Sequence, residues 1–218
     1  MNESVDNYLK GLFALSGKGS GGVTTNALAE KMETKASSVT DMLKKLNDRG
    51  LVKHTKYYGT TLTDKGKKQA VSIVRKHRLW EVFLVEKLGF RWDEVHDIAE
   101  ELEHVDSPEL IQRLDEFLGY PKWDPHGDPI PDKLGKMPPA PKVISSTELV
   151  ENDWARVVAV EDSSSDFLHY LETNKLMLGT EFQVRKIFTY DLSIQIKLKN
   201  KIISLSRQAA QNVLVVKI

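Results

Sequence analysis

Cysteine is absent from all 218 residues. That excludes disulfides, thiolate zinc sites and a cysteine nucleophile, so any metal here must bind through nitrogen and oxygen. No apolar run approaches the roughly 20 residues needed to cross a bilayer. The amino terminus also lacks the basic start and apolar stretch of a signal peptide, so a cytoplasmic protein with no membrane partner is expected. Proline is scarce through the first 120 residues, where only Pro108 occurs, and long helices are therefore permitted. Net charge is missing as well: 31 basic residues stand against 31 acidic ones.

The neutral total hides a division. Residues 1–70 carry 12 Lys and Arg against 7 Asp and Glu, whereas residues 71–120 carry 6 against 12. A basic segment facing an anionic partner thus precedes an acidic one able to collect cations. Seven of the 8 prolines fall in "YPKWDPHGDPIPDKLGKMPPAPK", which marks the main boundary. Before it the periodicity is helical, with helices expected near 3–16, 25–32, 36–49, 64–88, 92–105 and 108–118. After it come β-rich runs such as "WARVVAV", "EFQVRKIFTY", "LSIQIKLKNKIISL" and "VLVVKI", with one helix near "SSDFLHYLETN". The expected fold is mainly α with a β carboxy-terminal domain, a small barrel or sheet. Its parts are residues 1–70, 71–120, a proline-rich linker 121–142, and 143–218.

In the basic part, two short helices, a tight connection and a basic hairpin with a Tyr58-Gly59 turn follow the order of a winged helix-turn-helix. Leu28, Ala29 and Met32 make the inner face of the first helix, and Val39, Met42, Leu43 and Leu46 the apolar stripe of the second. Ser37, Ser38, Thr40, Asp41, Lys44 and Lys45 are left outside. Small hydroxyls at a helix start suit close approach to base edges and phosphates, and lysines farther along can reach the backbone. Lys53, His54, Lys56 and Tyr57 on the wing add phosphate contacts. The plain alternative is a solvated helix pair used for protein interaction.

In the acidic part, "VHDIAEELEH" places His96, Glu100, Glu103 and His104 at roughly 0°, 40°, 340° and 80° on a helical wheel, one arc. Val95, Ile98, Ala99, Leu102 and Val105 take the opposite arc, so the packing stripe is complete without the histidines. Upstream, His77 and Glu81 share a face at i, i+4. Six nitrogen and oxygen donors on two helices suit iron(II), manganese(II), cobalt, nickel or zinc. The plain alternative is a charged surface, since Glu- and His-rich helices are common.

The string "RKHRLWEVFLVEKLGFRWDEVHDIAEELEHVDSPELIQRLDEFLGYPKWDPHGDPIP", with the winged helix before it and the β domain after it, resembles the diphtheria-toxin-repressor family of metal-dependent transcriptional regulators. The resemblance covers practically the whole chain. It implies a helical dimerisation domain after the winged helix, an SH3-like terminal domain, and a homodimer that binds a palindromic double-stranded operator when loaded with Fe(II) or Mn(II). It further implies two metal sites per subunit and repression of metal-uptake genes. By the iron-sensing pattern His77, Glu81 and His96 match an ancillary site, and Glu100, Glu103 and His104 match a primary site. By the manganese-sensing pattern His77, Glu100, Glu103 and His104 match a paired-metal site. Glu100 stands where iron sensors have cysteine, and its harder oxygens favour Mn(II). The first helix departs from the pattern: Asn7 replaces an acidic ligand and Lys10 a second one, while a helix turns Asp6 about 100° from Asn7. In the terminal domain, Asp166 is the chosen ancillary donor, with Ser163, Glu161 and Asp162 as alternatives.

Leu79, Trp80, Phe83, Leu84, Leu110, Leu114 and Phe117 are candidates for a dimer surface, or else for internal core. A metal hydrolase is the enzymatic alternative, but no separate acid or base with a substrate pocket is apparent, so no enzyme and no small-molecule substrate are expected. The remaining alternative is a winged-helix regulator indifferent to metal.

Overall fold

The computed structural model describes residues 3–16, 21–139, 142–199 and 201–218; Ala140 and Pro141 of the expected linker lie outside them. The chain divides into two compact units, the first comprising Met1–Trp80, Ala99–Glu116 and Pro131–Lys136, the second Glu81–Ile98, Phe117–Ile130 and Met137–Ile218.

The first unit begins with α1 (Glu3–Ser16), α2 (Thr25–Lys31) and α3 (Ala36–Asp48). Thr24 caps α2 by accepting from the Ala27 amide at 3.1 Å, and Gly50 in the left-handed region stops the chain after α3. The apolar spacing works as read: Leu28, Val39, Leu43 and Leu46 are buried with Leu9 and Leu12 of α1, while Met32 and Met42 pack at the margin. Next come β1 (Val52–Thr55) and β2 (Gly59–Leu62), paired antiparallel with Thr55 opposite Gly59. The hairpin turn is therefore Lys56–Tyr58, not Tyr58-Gly59. Both Tyr57 (φ 65°) and Gly59 (φ 103°) take positive φ, and Gly59 opens β2 because a Cβ there would lie 2.7 Å from the Gly22 carbonyl oxygen.

Thr63 joins the wing to α4 (Asp64–Leu88): its hydroxyl donates to the Gly50 carbonyl at 2.7 Å and accepts from the Gly66 amide at 3.1 Å. Gly66 lies so close to the hairpin entrance that a Cβ would fall 1.9 Å from the Leu51 carbonyl oxygen, a backbone atom. Gly66→Ala is therefore expected to lower stability by about 1–3 kcal/mol through overpacking. A chemical-denaturation midpoint equal to that of wild type would show that the hairpin yields freely.

Two short helices follow, α5 (Val95–Leu102) and α6 (Pro108–Phe117). Ser107 caps α6, its Oγ accepting from the Leu110 amide at 3.3 Å, and Gly119 (φ 74°) ends the segment. Helix α5 is shorter at both ends than its periodicity predicts. Residues 92–94 form a turn instead, and beyond Leu102 the Glu103 amide still bonds the Ala99 carbonyl at 2.9 Å. Within the first unit, Arg75 ties α4 to α6 and to the proline segment through Asp115 and the Pro131 carbonyl, each at 2.6 Å.

The second unit centres on a six-stranded antiparallel sheet of β3 (Ile144–Ser145), β4 (Trp154–Val160), β5 (Glu181–Ile187), β6 (Ile194–Leu198), β7 (Lys201–Leu205) and β8 (Val213–Lys217). The strand order is β3-β8-β4-β5-β6-β7. Register shifts between Val157 and Ala159, and between Val184 and Lys186, bend β4 and β5. The inward residues Ala155, Val157, Phe182, Val184, Ile196 and Val215 form the core with Leu168 and Leu171 of α7 (Ser165–Thr173). A short α8 (Arg207–Gln211), capped by Ser206, was not legible in the apolar pattern. No helix among the described residues is long and apolar enough to cross a membrane.

Candidate metal centres and DNA-binding surface

Periodicity put Glu103 on the polar arc of its helix, yet Glu103 is wholly buried, while Val105 of the expected packing arc is 37% exposed. Long-range partners account for the carboxylate. Its Oε2 lies 2.7 Å from His77 Nδ1 on α4 and accepts from Lys10 Nζ of α1 at 2.9 Å; the same ammonium donates to Glu100 Oε1, also at 2.9 Å. Lys10 thus bridges two of the expected ligands. Asp6, one turn before Lys10, is also buried, accepting from Gln69 Nε2 at 2.9 Å through Oδ1. Its Oδ2 faces His104 Nδ1 at 3.6 Å, beyond hydrogen-bond reach.

Four buried atoms around this face have no hydrogen-bond partner: Asp6 Oδ2, Asn7 Oδ1, Glu103 Oε1 and His104 Nδ1. A buried polar atom left in this way typically destabilises by about 1–3 kcal/mol, and a cation is the partner that three oxygens and an imidazole nitrogen have in common. The residues therefore fit a divalent ion bound by nitrogen and oxygen. Among the described residues, Glu100, Glu103 and His104 do not bring their ligand atoms within 4.8 Å of one another as a group; Lys10 separates the carboxylates' duties instead.

In the second unit, Glu81 of α4 is 2% exposed, and its Oε1 lies 3.4 Å from His96 Nδ1 and 3.7 Å from His126 Nδ1. His77 precedes Glu81 by one turn of α4, on the same helical face. Neither His126 nor Asp124 of "WDPHGDPIP" stands out in the sequence pattern as a donor. Both are buried, and with Glu81 they bring their ligand atoms within 4.8 Å of one another. The His126 Nε2 donates to the Trp92 carbonyl at 2.8 Å, and Asp124 Oδ1 accepts from the amides of His126 and Asp128. Gly127 (φ 90°) lets this loop touch β4, since a Cβ there would lie 2.2 Å from the Val158 carbonyl oxygen. Burial disfavours the charged imidazole of His126, but the Glu81 carboxylate, Asp124 and the Trp92 carbonyl outweigh it and raise the pKa to about 9. Glu81, Asp124 and His126 are thus a buried nitrogen- and oxygen-donor group able to hold a metal ion.

Asp166 sits exposed in the first turn of α7, and Ser163 and Glu161 are exposed as well. None of these, nor Asp162, belongs to a donor group among the described residues. The second unit offers another group, Asp93, His169 and Glu172, but the Arg91 guanidinium already fills it, 2.6 Å from Asp93, 3.1 Å from Glu172 and 2.8 Å from His169 Nδ1.

On the basic side, Ser37, Ser38, Thr40, Asp41, Lys44 and Lys45 of α3 are all exposed, as are Lys53, His54, Lys56 and Tyr57 of the wing. No side chain caps the start of α3, where Lys35 is the N-cap, so first-turn amides remain available to an anion. The Thr40 hydroxyl donates back to the Ala36 carbonyl at 2.9 Å. Tyr57 is 96% exposed, with Lys56 Nζ 5.0 Å from its ring centroid. Of the apolar candidates, Leu79, Leu84 and Leu114 are internal, whereas Leu110 (40%) and Phe117 (64%) are exposed.

A basic winged helix joined to nitrogen- and oxygen-donor clusters defines a class, the metal-responsive DNA-binding regulators. Three family descriptions match in succession: the iron-dependent repressor N-terminal DNA-binding domain at residues 1–60, the iron-dependent repressor metal-binding and dimerisation domain at 63–132, and the FeoA domain at 147–217. The iron-dependent repressor IdeR of Mycobacterium leprae is 34% identical over 167 residues, covering 72% of each chain. An HTH-type transcriptional regulator of Methanocaldococcus jannaschii is 36% identical over 118 residues, 54% of this chain and 94% of its own. Among solved structures, a manganese-dependent transcriptional repressor in complex with manganese superposes with a TM-score of 0.86 at 35% identity, covering 98% of this chain and 100% of that one. The chain belongs to the iron-dependent repressor family and is a metal-dependent transcriptional repressor, with a DNA-binding domain, a dimerisation domain and a requirement for a divalent metal.

Proposed function

We propose that this repressor answers Mn(II) in preference to Fe(II), acts in the cytoplasm as a homodimer on a palindromic operator, and controls metal-uptake genes. Its parts are a winged helix over 1–70, a metal-binding and dimerisation region over 71–120, a proline-rich connection over 121–142 and an SH3-like domain over 143–218. The observation that carries the metal preference is the donor chemistry: buried carboxylate, amide and imidazole atoms without partners, in a chain that has no thiolate. Two metal sites per subunit are assigned. The primary set is Asn7, Glu100, Glu103 and His104; the ancillary set is His77, Glu81 and His96, with exposed Asp166 the candidate fourth donor.

A bound ion supplies positive charge that donors from α1 and from the end of α5 share. Asn7 then belongs to the same coordination as Glu103 and His104, so α1, which packs on α2 and α3 in one apolar core, is held against the acidic segment. Ser37, Ser38, Thr40 and Asp41 are thereby presented for the major groove, and Lys44, Lys45, Lys53, Lys56 and Tyr57 for phosphates. Phe117, exposed and 6.2 Å from the Phe83 ring, belongs to the dimer surface, together with Leu110.

The test is DNA binding titrated metal by metal, with EDTA, Mn(II), Fe(II) and Zn(II) and with the metal content per subunit measured alongside. Mn(II) is expected to strengthen operator binding by about 5–150-fold, the usual range of coupling between two sites. Affinity indifferent to every metal would leave a metal-independent winged-helix regulator.

A further inference from the structure

We propose that Lys10 is a resident cation of the primary site, holding the place of a second metal, so that this site takes one divalent ion and not a pair. The inference rests on reading Asn7, Glu100, Glu103 and His104 as that site.

The donors divide into two groups. Lys10 Nζ bridges one oxygen of Glu100 and one of Glu103 at 2.9 Å each, so the place between these two carboxylates is already held by a cation. Glu103 Oε2 is doubly engaged, since His77 Nδ1 also lies 2.7 Å from it. The other group is the unpartnered one: Glu103 Oε1, Asn7 Oδ1, Asp6 Oδ2 and His104 Nδ1. One half of the face is served by the chain's own ammonium, and the other half is left for a cation from outside.

Charge leads to the same count. With His77 and His104 neutral, as imidazoles are when they bind a metal, Asp6, Glu100 and Glu103 contribute three negative charges, and Lys10 returns one. The balance of minus two is neutralised by one divalent ion. A second would have to enter beside an ammonium with no carboxylate left to offset it, and like charges repel one another across a partly buried site. Asp6, Asn7 and Lys10 lie within little more than a turn of α1, so this short segment sets both the donors and the resident charge.

The experiment measures Mn(II) bound per subunit by equilibrium dialysis, together with low-temperature electron paramagnetic resonance, on full-length wild type, Lys10→Glu, Lys10→Met and Glu103→Gln. Wild type is expected to give magnetically isolated Mn(II). Lys10→Glu should take up one further Mn(II) per subunit and show a spin-coupled pair. Lys10→Met should bind its primary ion about tenfold more tightly, because the repelling charge is gone, and a further ion taken up beside Glu100 would equally support the proposal. A coupled pair in wild type overturns the proposal, as does a folded Lys10→Glu protein that gains no ion. If Lys10→Glu does not fold, Lys10→Met decides: unchanged or weaker primary binding overturns the proposal. Glu103→Gln with an unchanged count removes the primary-site reading itself, whatever the Lys10 variants do.

Discussion

Glu103→Gln protein is expected to bind operator DNA in saturating Mn(II) no better than it does in EDTA. Glu103 supplies both the oxygen that joins Lys10 to His77 and the unpartnered Oε1, and it is fully buried. Glutamine keeps the volume but removes the charge, and an amide oxygen is a poorer ligand for a hard divalent ion. The loss should consume the whole metal-dependent gain in affinity, about 5–150-fold for typical coupling. Folding should suffer less. Breaking a buried ion pair by removing one partner commonly destabilises by about 3–5 kcal/mol, but Lys10 keeps Glu100 and retains some access to solvent. Fluorescence anisotropy with labelled operator, in Mn(II) and in EDTA, reads the first effect; a thermal midpoint without metal reads the second. A variant that keeps its Mn(II) response would remove Glu103 from the site.

The position of Glu103 also shows where sequence pattern stops being informative. Helical spacing reports which side of a helix a residue occupies, and it correctly set buried Val95 and Ala99 against exposed His96. It does not report what approaches the polar side. Glu103 is buried because Lys10 and His77, 93 and 26 positions away, bring cationic or hydrogen-bonding groups to it, and such pairings leave no periodic trace. Lys10 stands out in the sequence only as a departure from the expected acid; its role as a bridge comes from packing against Glu100 and Glu103, 90 and 93 positions away. Asp6 illustrates the same limit. A helix turns it away from Asn7, yet both side chains end in buried atoms without partners, because different elements pack on each side of α1.

The proline-rich stretch was legible as a region without regular helix or strand, but not as an ordered one. Asp124 and His126 are buried there, through contacts to Trp92 and Glu81 that the spacing within "WDPHGDP" does not encode. The winged helix was read most fully, since its apolar residues are local and follow one period. Even there the turn differed: a glycine after two tyrosines marks a tight turn, but Tyr57 also adopts the left-handed conformation. That lengthens the wing tip to Lys56–Tyr58 and leaves Tyr57 standing in solvent.

That wing and the exposed face of α3 make the second large expected effect one of electrostatics. Lys44→Ala with Lys45→Ala should make the salt dependence of operator binding markedly shallower, because the two lysines project from the exposed face of α3 where phosphates flank the groove. If both reach phosphates in each half-site of a dimer, four contacts are lost, and each contributes about −0.9 to the slope of log affinity against log salt. The slope then falls by about 3–4, and affinity near 0.1 M salt by about 1,000- to 10,000-fold. Sequence preference should survive, since phosphate contacts position the helix without reading bases. The opposite pattern is expected of Ser38→Ala: a slope close to wild type, with discrimination between correct and altered base pairs reduced by about 1–3 kcal/mol if its hydroxyl meets a base edge. Measured on one operator and a set of single-base variants across a salt series, the two substitutions separate positioning from reading. An unchanged slope in the double-lysine variant would mean that α3 enters the groove on another face. The recognition surface would then have to be sought on the wing, where Lys53, Lys56 and Tyr57 remain.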